Sequence, residues 1–368
     1  MGRRWGKTLM AGSMALAAAY RGASVAWVVP TYRNARPLWR FVEQHAATAG
    51  QLRRAEMSVQ FARGHLTIYT ADNDVGLRGE AFDLVIVDEA AQIKAETWTD
   101  VIMPTLADRD GRAMLISTPK GRNWFWSEFE RGRIDGKRQA AFTAPTAANP
   151  NANIQRAAQA ARARVSDRTY RQEWLAEFIA DGAGVFRGVR ELSCLPRTEP
   201  RPNADYIIGV DWGRRSDSSV FSVWDIGARH EAAVYRLQNV TYSAQIAELA
   251  RIAAEYNDAL IVAESNGIGD PLIGQAVAAG LRLMEFTTTQ ARKAHAVDLL
   301  ALACESARVQ LQADETGLAE MESFECLGYS TNGLPRYSAP EGQHDDIVMA
   351  RIIGHSALAE AGPVVLWS

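Results

Sequence analysis

Three stretches in the first half of this chain place a lysine, hydroxyls and acids where phosphate chemistry could be done. The first is Gly2-Arg3-Arg4-Trp5-Gly6-Lys7-Thr8, ahead of an Ala-, Leu- and Met-rich run from Leu9 to Tyr20 that should be a helix. A Gly-Lys-Thr at a helix entry suits an anion. Backbone N–H groups and the helix N-terminus face it, Lys7 adds a positive charge, and the Thr8 hydroxyl can ligate Mg²⁺. The usual pattern puts its first Gly where Met1 stands, so the match is a variant. The second stretch, Asp83 to Ala90, holds an apolar run that reads as a strand buried on both faces and ends in Asp88-Glu89. Two adjacent carboxylates at the C-terminal edge of a parallel sheet can hold Mg²⁺ and orient a water; they could equally be acids favouring a helix N-terminus. The third, Ala113 to Ser117, is another buried strand, leaving Ser117 and Thr118 beside the phosphate site, where hydroxyls can sense a γ-phosphate. Just before the acidic strand, the loop 74–80 carries Arg78, which could act as a finger on the γ-phosphate of a neighbouring subunit or simply be solvated. In this order the parts make up an ATP-hydrolysing core.

The second half repeats the motif of acids at strand ends. Tyr206 to Gly213 is an apolar strand delivering Asp211, and Leu260 to Glu264 ends in Glu264. His344-Asp345-Asp346 opens the last helix, which should run to about Ala361; Asp345 there is also an obvious helix cap. Clustered carboxylates are hard-oxygen ligands suited to two Mg²⁺ or Mn²⁺ ions, which activate water and stabilise the leaving 3′-oxygen of a phosphodiester. Asp217, Asp225 and Asp270 read as loop acids, Asp217 being near enough in sequence to approach the site, and His344 as structural.

The elements that must position these groups follow from patterning. Ser24–Val29 and Leu66–Thr70 are further strands and 36–49 a helix. The spacing of Tyr170, Trp174, Leu175 and Phe178 predicts one long helix over 154–179 with those residues in the core. Residues 181–204, with Gly, Pro and four arginines but no periodicity, are expected to link a domain at 1–180 to one at 205–368. Beyond the link, strands at 206–213, 219–225 and 232–240 form a meander. A helix at 244–256, strands at 260–264 and 281–286, and a helix at 294–307 lead to the last helix. That is the ribonuclease H-like order. The fold class is therefore α/β: an N-terminal parallel-sheet phosphate-loop ATPase domain and a C-terminal ribonuclease H-like nuclease domain.

Composition agrees with a soluble globular chain of two ordinary domains: 368 residues, 47% hydrophobic and 23% charged. Forty basic against 43 acidic side chains leave a formal net charge of −3, so contact with nucleic acid would need local arginine clusters such as Arg187, Arg190, Arg197 and Arg201. Three scattered cysteines support neither a zinc site nor a disulfide framework, and no apolar run is long enough to span a bilayer. No strand stands ahead of Met1 to feed the phosphate loop; the expectation is a start recorded too far downstream, or a truncated product.

Taken together, GRRWGKT, PTYRNAR, LRGEAFDLVIVDEAA, LISTPKG, RQEWLAEFIADGAGVF, YIIGVDWG, IVAESNG and YSAPEGQHDDIV resemble the large terminase subunit of tailed bacteriophages over nearly the whole length. The resemblance implies ATP hydrolysis that drives duplex DNA into a procapsid, and metal-dependent cutting of concatemers. It implies nucleotide contacts from Gly2, Arg3, Arg4, Gly6, Lys7 and Thr8, and Mg²⁺ on Thr8 and Asp88. Glu89 would polarise water, Arg78 would act in trans, and Ser117-Thr118 would couple hydrolysis to movement. Asp211, Glu264 and Asp345, with Asp346 sharing, would bind the nuclease metals; Met349 stands where relatives often carry another acid. The implied partners are the portal of the procapsid, the small terminase subunit and further copies in a ring of five, with a monomer allowed in solution, all in the host cytoplasm. The alternative is a truncated, prophage-encoded DNA-binding or assembly module without ATPase activity.

Overall fold

The computed structural model describes residues 1–73, 76–136, 138–180, 184–213, 218–267, 269–330 and 332–360. It divides into two compact units, one built from residues 1–163, 169–180 and 329–333, the other from the remainder.

In the first unit, helix α1 (Lys7–Tyr20) leads into strand β1 (Ser24–Val29), helix α2 (Tyr32–Ala46) and strands β2 (Gln51–Arg53), β3 (Ser58–Gln60) and β4 (His65–Thr70). Strands β5 (Leu84–Asp88) and β6 (Arg112–Ile116) and helices α3 (Trp124–Asp135), α4 (Ala152–Arg162) and α5 (Asp167–Glu173) complete it. The six strands run in the order β2-β3-β4-β1-β5-β6, with β4, β1, β5 and β6 parallel and β2 and β3 antiparallel at one edge. Every residue of β1 and Val85, Ile86 and Val87 of β5 are buried, as strands covered on both faces require. The edge strands β2 and β3 are three residues each, too short to declare a period.

The helix expected over 154–179 is broken. α4 ends at the C-cap Ala163, and Ser166 and Asp167, residues that favour helix starts, open α5, which stops at Glu173. Tyr170, Trp174, Leu175 and Phe178 are only partly buried. Ala176 takes a φ of 60°, ending helical spacing before Phe178, whose ring nevertheless packs on Phe125 and Phe129.

The second unit begins with helix α6 (Val189–Leu192) and strand β7 (Ser193–Leu195), in the stretch expected to be a bare link. Strands β8 (Tyr206–Asp211), β9 (Ser219–Asp225) and β10 (His230–Leu237) follow, then helix α7 (Tyr242–Glu255), strand β11 (Leu260–Glu264), helix α8 (Gly269–Ala278), strand β12 (Leu283–Phe286) and helix α9 (Gln290–Glu305). The chain closes with β13 (Leu311–Gln312), α10 (Glu315–Ser323), β14 (Glu325–Tyr329), β15 (Pro335–Ser338) and α11 (Asp346–Glu360). β7 pairs in parallel with β13. The main sheet has the order β10-β9-β8-β11-β12, with the first three strands antiparallel and β8, β11 and β12 parallel. This is the ribonuclease H-like arrangement.

Helix α11 lies on this sheet through two glycines. A Cβ on Gly209 of β8 would stand 2.2 Å from the Ala350 carbonyl oxygen and 2.4 Å from the Gly354 nitrogen, and one on Gly354 would strike the Trp224 ring at 2.5 Å. Only glycine at both positions lets backbone approach backbone so closely. The contact holds the start of α11 near the edge where β8 ends.

Candidate functional site

Each unit gathers acids at the C-terminal edge of its parallel strands. In the first, residues 2–5 are fixed from the side. Gly2 N–H donates to the Ala144 carbonyl (2.9 Å), Arg3 N–H to that of Glu173 (2.9 Å) and the Trp5 indole to that of Pro145 (2.9 Å). Thr146 Oγ1 donates to the Arg3 carbonyl (3.0 Å). A Cβ on Gly2 would lie 2.3 Å from that hydroxyl, so the tether demands glycine. Arg4 and Gly6 turn the loop through left-handed conformations, φ 58° and 88°.

Lys7 folds back over this loop: Nζ donates to the carbonyls of Met1 (2.9 Å) and Gly2 (3.1 Å) and approaches Thr118 Oγ1 (3.4 Å). Burial lowers its pKa against the opposing pull of Glu89, Asp88 and Glu173. Thr8 Oγ1 donates to Asp88 Oδ2 (3.2 Å), joining the two expected Mg²⁺ ligands directly. Burial and then the Glu89 charge push Asp88 up to about 6, against the hydrogen bonds from Thr8 and the Glu89 N–H. Such a carboxyl gains by meeting a cation. Glu89 sits at φ 51°, a strained setting for a non-glycine residue, and accepts from Gln92 Nε2 and Ser117 Oγ, each at 3.2 Å. The Ser117 hydroxyl also lies 2.9 Å from the Thr118 carbonyl; its single proton can serve only one acceptor at a time.

A cavity of about 390 Å³ opens here, lined by Arg3, Arg4, Lys7, Thr8, Glu89 and Thr118 among others. Lys120 and Glu173, which also line it, were not assigned roles from sequence. Buried Glu173 takes Lys120 Nζ on one oxygen and Arg3 Nε (2.7 Å) on the other. Burial raises its pKa, but Lys120 and Arg3 outweigh that and bring the carboxyl below its ordinary range. Glu173 shares the 170–180 stretch with Arg171, Gln172 and Glu177, and nothing in the sequence singled it out. Arg78 is not among the lining residues; it borders a separate hollow of about 300 Å³ with Glu80, Asp100 and Asp108.

In the second unit, the parallel register pairs Val210 of β8 with Ala263 of β11, so Asp211 and Glu264 leave adjacent strands side by side. Asp345 immediately precedes α11 and Asp346 begins it. Burial, then the charge of Glu264, then that of Asp346, a hydrogen bond shared with Glu264 and the charge of Asp345 all raise the Asp211 pKa well above the carboxylate range. Four expected acids thus act on one another. Among the described residues no three metal-ligating side chains close on a single point. Four carboxylates suit hard divalent cations, whose charge would offset their mutual repulsion. Lys293 Nζ lies 3.7 Å from Asp345 Oδ2. Asp225, expected to be a loop acid, is instead the buried last residue of β9, held by Arg201 and the Ala228 N–H, and His344 is exposed. Asp217 and the side chain of Asp270 lie outside the described residues.

The arginines expected to contact DNA are instead committed to carboxylates: Arg187 to Asp167 (3.0 Å), Arg190 to Glu322 (2.7 Å), Arg197 to Glu255 (3.0 Å) and Arg201 to buried Asp225 (2.6 Å). Opposed charges release few counterions from a duplex, so this cluster makes a poor phosphate track.

Residues 1–192 match a family model described as terminase large subunit, T4likevirus-type, N-terminal. The large terminase subunit of Thermus virus P23-45 is 30% identical over 404 residues, covering 97% of this chain and 83% of that protein. That of Escherichia phage T5 is 25% identical over 240 residues, 60% of this chain and 54% of the relative. Among solved structures, the large terminase from a thermophilic bacteriophage has the same fold, with a TM-score of 0.61 at 14% identity over 97% of this chain and 92% of that chain.

Proposed function

The chain belongs to the terminase large subunit family, and from that premise we propose that it is a DNA-packaging motor and endonuclease with an ATP site in the first unit and a two-metal nuclease site in the second. The observation that carries this reading is the pairing, in one chain, of Thr8 with Asp88 beside Lys7 and of Asp211 with Glu264 beside Asp345 and Asp346. In the first site Gly2, Arg3, Arg4, Gly6, Lys7 and Thr8 cradle the phosphates of ATP, and Thr8 and Asp88 hold Mg²⁺. Glu89 polarises the attacking water. Ser117, with one proton and two acceptors, and Thr118, in contact with Lys7, relay the state of the γ-phosphate. Arg78, standing apart from the cavity, serves a neighbouring copy.

In the second site Asp211, Glu264, Asp345 and Asp346 hold Mg²⁺ or Mn²⁺. Metals held there would activate a water and stabilise the leaving 3′-oxygen of the phosphodiester. The protein's part is to fix the acids on rigid strand ends and on one helix start. The first unit is the motor domain and the second, which takes in 181–204, the nuclease. The substrate is double-stranded DNA, and the working assembly is a ring of five copies on the portal of a procapsid, supplied with DNA by the small terminase subunit in the host cytoplasm. The free chain is a monomer. Among the described residues no helix is long and apolar enough to cross a membrane.

The test is plasmid cleavage with Mn²⁺ or EDTA, beside ATP turnover, for the chain, Asp211→Ala and Lys7→Ala. Metal-dependent cutting lost only in Asp211→Ala, and turnover lost only in Lys7→Ala, are the expected results. Cutting that survives Asp211→Ala would overturn the nuclease assignment; a parent chain that neither cuts nor hydrolyses ATP would leave a DNA-binding assembly module.

A further inference from the structure

An α-helix begins with N–H groups that have no partner within the helix, and an Asp directly ahead of it ordinarily supplies the acceptor. Asp345 stands in that position: α11 starts at Asp346, and Met349 N–H donates to the Asp345 carbonyl (2.8 Å). Yet the N–H groups of Ile347 and Val348 are not bonded to Asp345. They donate to Oε2 of Glu320, at 2.8 and 3.3 Å, from the separate helix α10. The Asp345 carboxylate faces Lys293 instead.

This arrangement is costly. Glu320 is only 6% exposed, and its other oxygen, Oε1, has no hydrogen-bond partner among the described residues. Burying another carboxylate beside four acids is unfavourable when Asp345 could cap the helix unaided. The cost makes sense if Asp345 is needed elsewhere. We propose that Glu320 is the positioning residue of the nuclease site: it caps α11 in place of Asp345 and so leaves the Asp345 carboxylate to the divalent metal. The inference rests on the metal-binding role proposed above for Asp211, Glu264, Asp345 and Asp346.

Its test combines Mn²⁺ binding, read from the electron paramagnetic resonance of free Mn²⁺, with thermal unfolding in EDTA. The whole chain carries Asp88→Asn throughout, so that the nucleotide site does not contribute. The variants are Glu320→Ala, the equally long Glu320→Met, Glu320→Gln, Asp345→Ala and the double Glu320→Ala/Asp345→Ala. With the acceptor gone, Asp345 swings to the helix start. Mn²⁺ binding then weakens about tenfold or more in both Glu320→Ala and Glu320→Met, while Glu320→Gln, whose amide oxygen still accepts, binds as the parent does. In EDTA, Asp345→Ala lowers the unfolding temperature little in the parent and markedly in the Glu320→Ala background, where Asp345 has become the cap. A purely structural Glu320 would lower the unfolding temperature and leave Mn²⁺ binding unchanged; that result, or an Asp345→Ala effect equal in both backgrounds, overturns the proposal. A parent that binds no Mn²⁺ overturns the metal assignment itself, and this inference with it.

Discussion

Asp88→Asn should make the nucleotide-free chain more stable while disabling it. The Asp88 carboxyl is raised from 3.8 to about 6, so keeping it ionised in the folded chain at pH 8 costs about 3 kcal/mol. Asn removes that cost. It also provides one acceptor where Asp88 serves two donors, Thr8 Oγ1 and the Glu89 N–H, a loss of about 1 kcal/mol. The net gain at pH 8 is about 2 kcal/mol. The sign with pH follows from the direction of the shift. A carboxyl whose folded pKa is raised destabilises fully above that pKa, and the effect fades as pH falls toward the unfolded value. At pH 5 the ionisation cost is about 1.5 kcal/mol, leaving a net gain of about 0.5 kcal/mol. Urea unfolding of the chain and Asp88→Asn in EDTA at pH 8 and pH 5, followed by tryptophan fluorescence, measures both values. A gain independent of pH, or a variant less stable than the parent at pH 8, would refute the reasoning. ATP turnover by the same variant should fall to background, because in the proposed site Mg²⁺ would compensate the buried charge and Asn would hold it poorly.

Asp211→Asn should likewise raise stability in EDTA while ending cleavage, and in the parent the apparent Mn²⁺ affinity should strengthen as pH rises, since the proton on Asp211 must leave; calorimetric titration at two pH values reads this directly. Gly209→Ala places a methyl 2.2 Å from the Ala350 carbonyl, so unfolding should show a loss of roughly 2 to 4 kcal/mol in the second unit, with nuclease activity falling and ATP turnover unchanged. Glu173→Ala leaves Lys120 and Arg3 facing each other across an emptied site; the KM for ATP should rise about tenfold or more while the nuclease is unaffected.

The positions of the acids were legible because their carriers are buried strands with apolar runs that end sharply: β11 lies at the expected bounds, and β5 and β8 end at the expected acids. Periodicity failed where it was extrapolated. It joined α4 and α5 across Ser166 and Asp167, whose local hydrogen-bonding chemistry favours a fresh helix start. Composition misjudged the arginines at 187–201, because an arginine's partner is set by tertiary placement and each has found a carboxylate distant in sequence. Glu320 left no trace in the sequence. Its partners are backbone N–H groups, and backbone carries no residue signature.

The tether of the phosphate loop also has a consequence in time. Arg3 is bound through both backbone and side chain to Glu173, 170 residues further along the chain. On the ribosome the loop emerges well before the segment that frames it, and is among the last parts of its domain to be set. At ordinary translation rates the interval is roughly ten to thirty seconds. The nascent chain therefore carries its lysine and threonine long before it carries the frame that aims them. Competence to grip a nucleotide arrives as a late event of synthesis, after the remainder of the motor domain has been made.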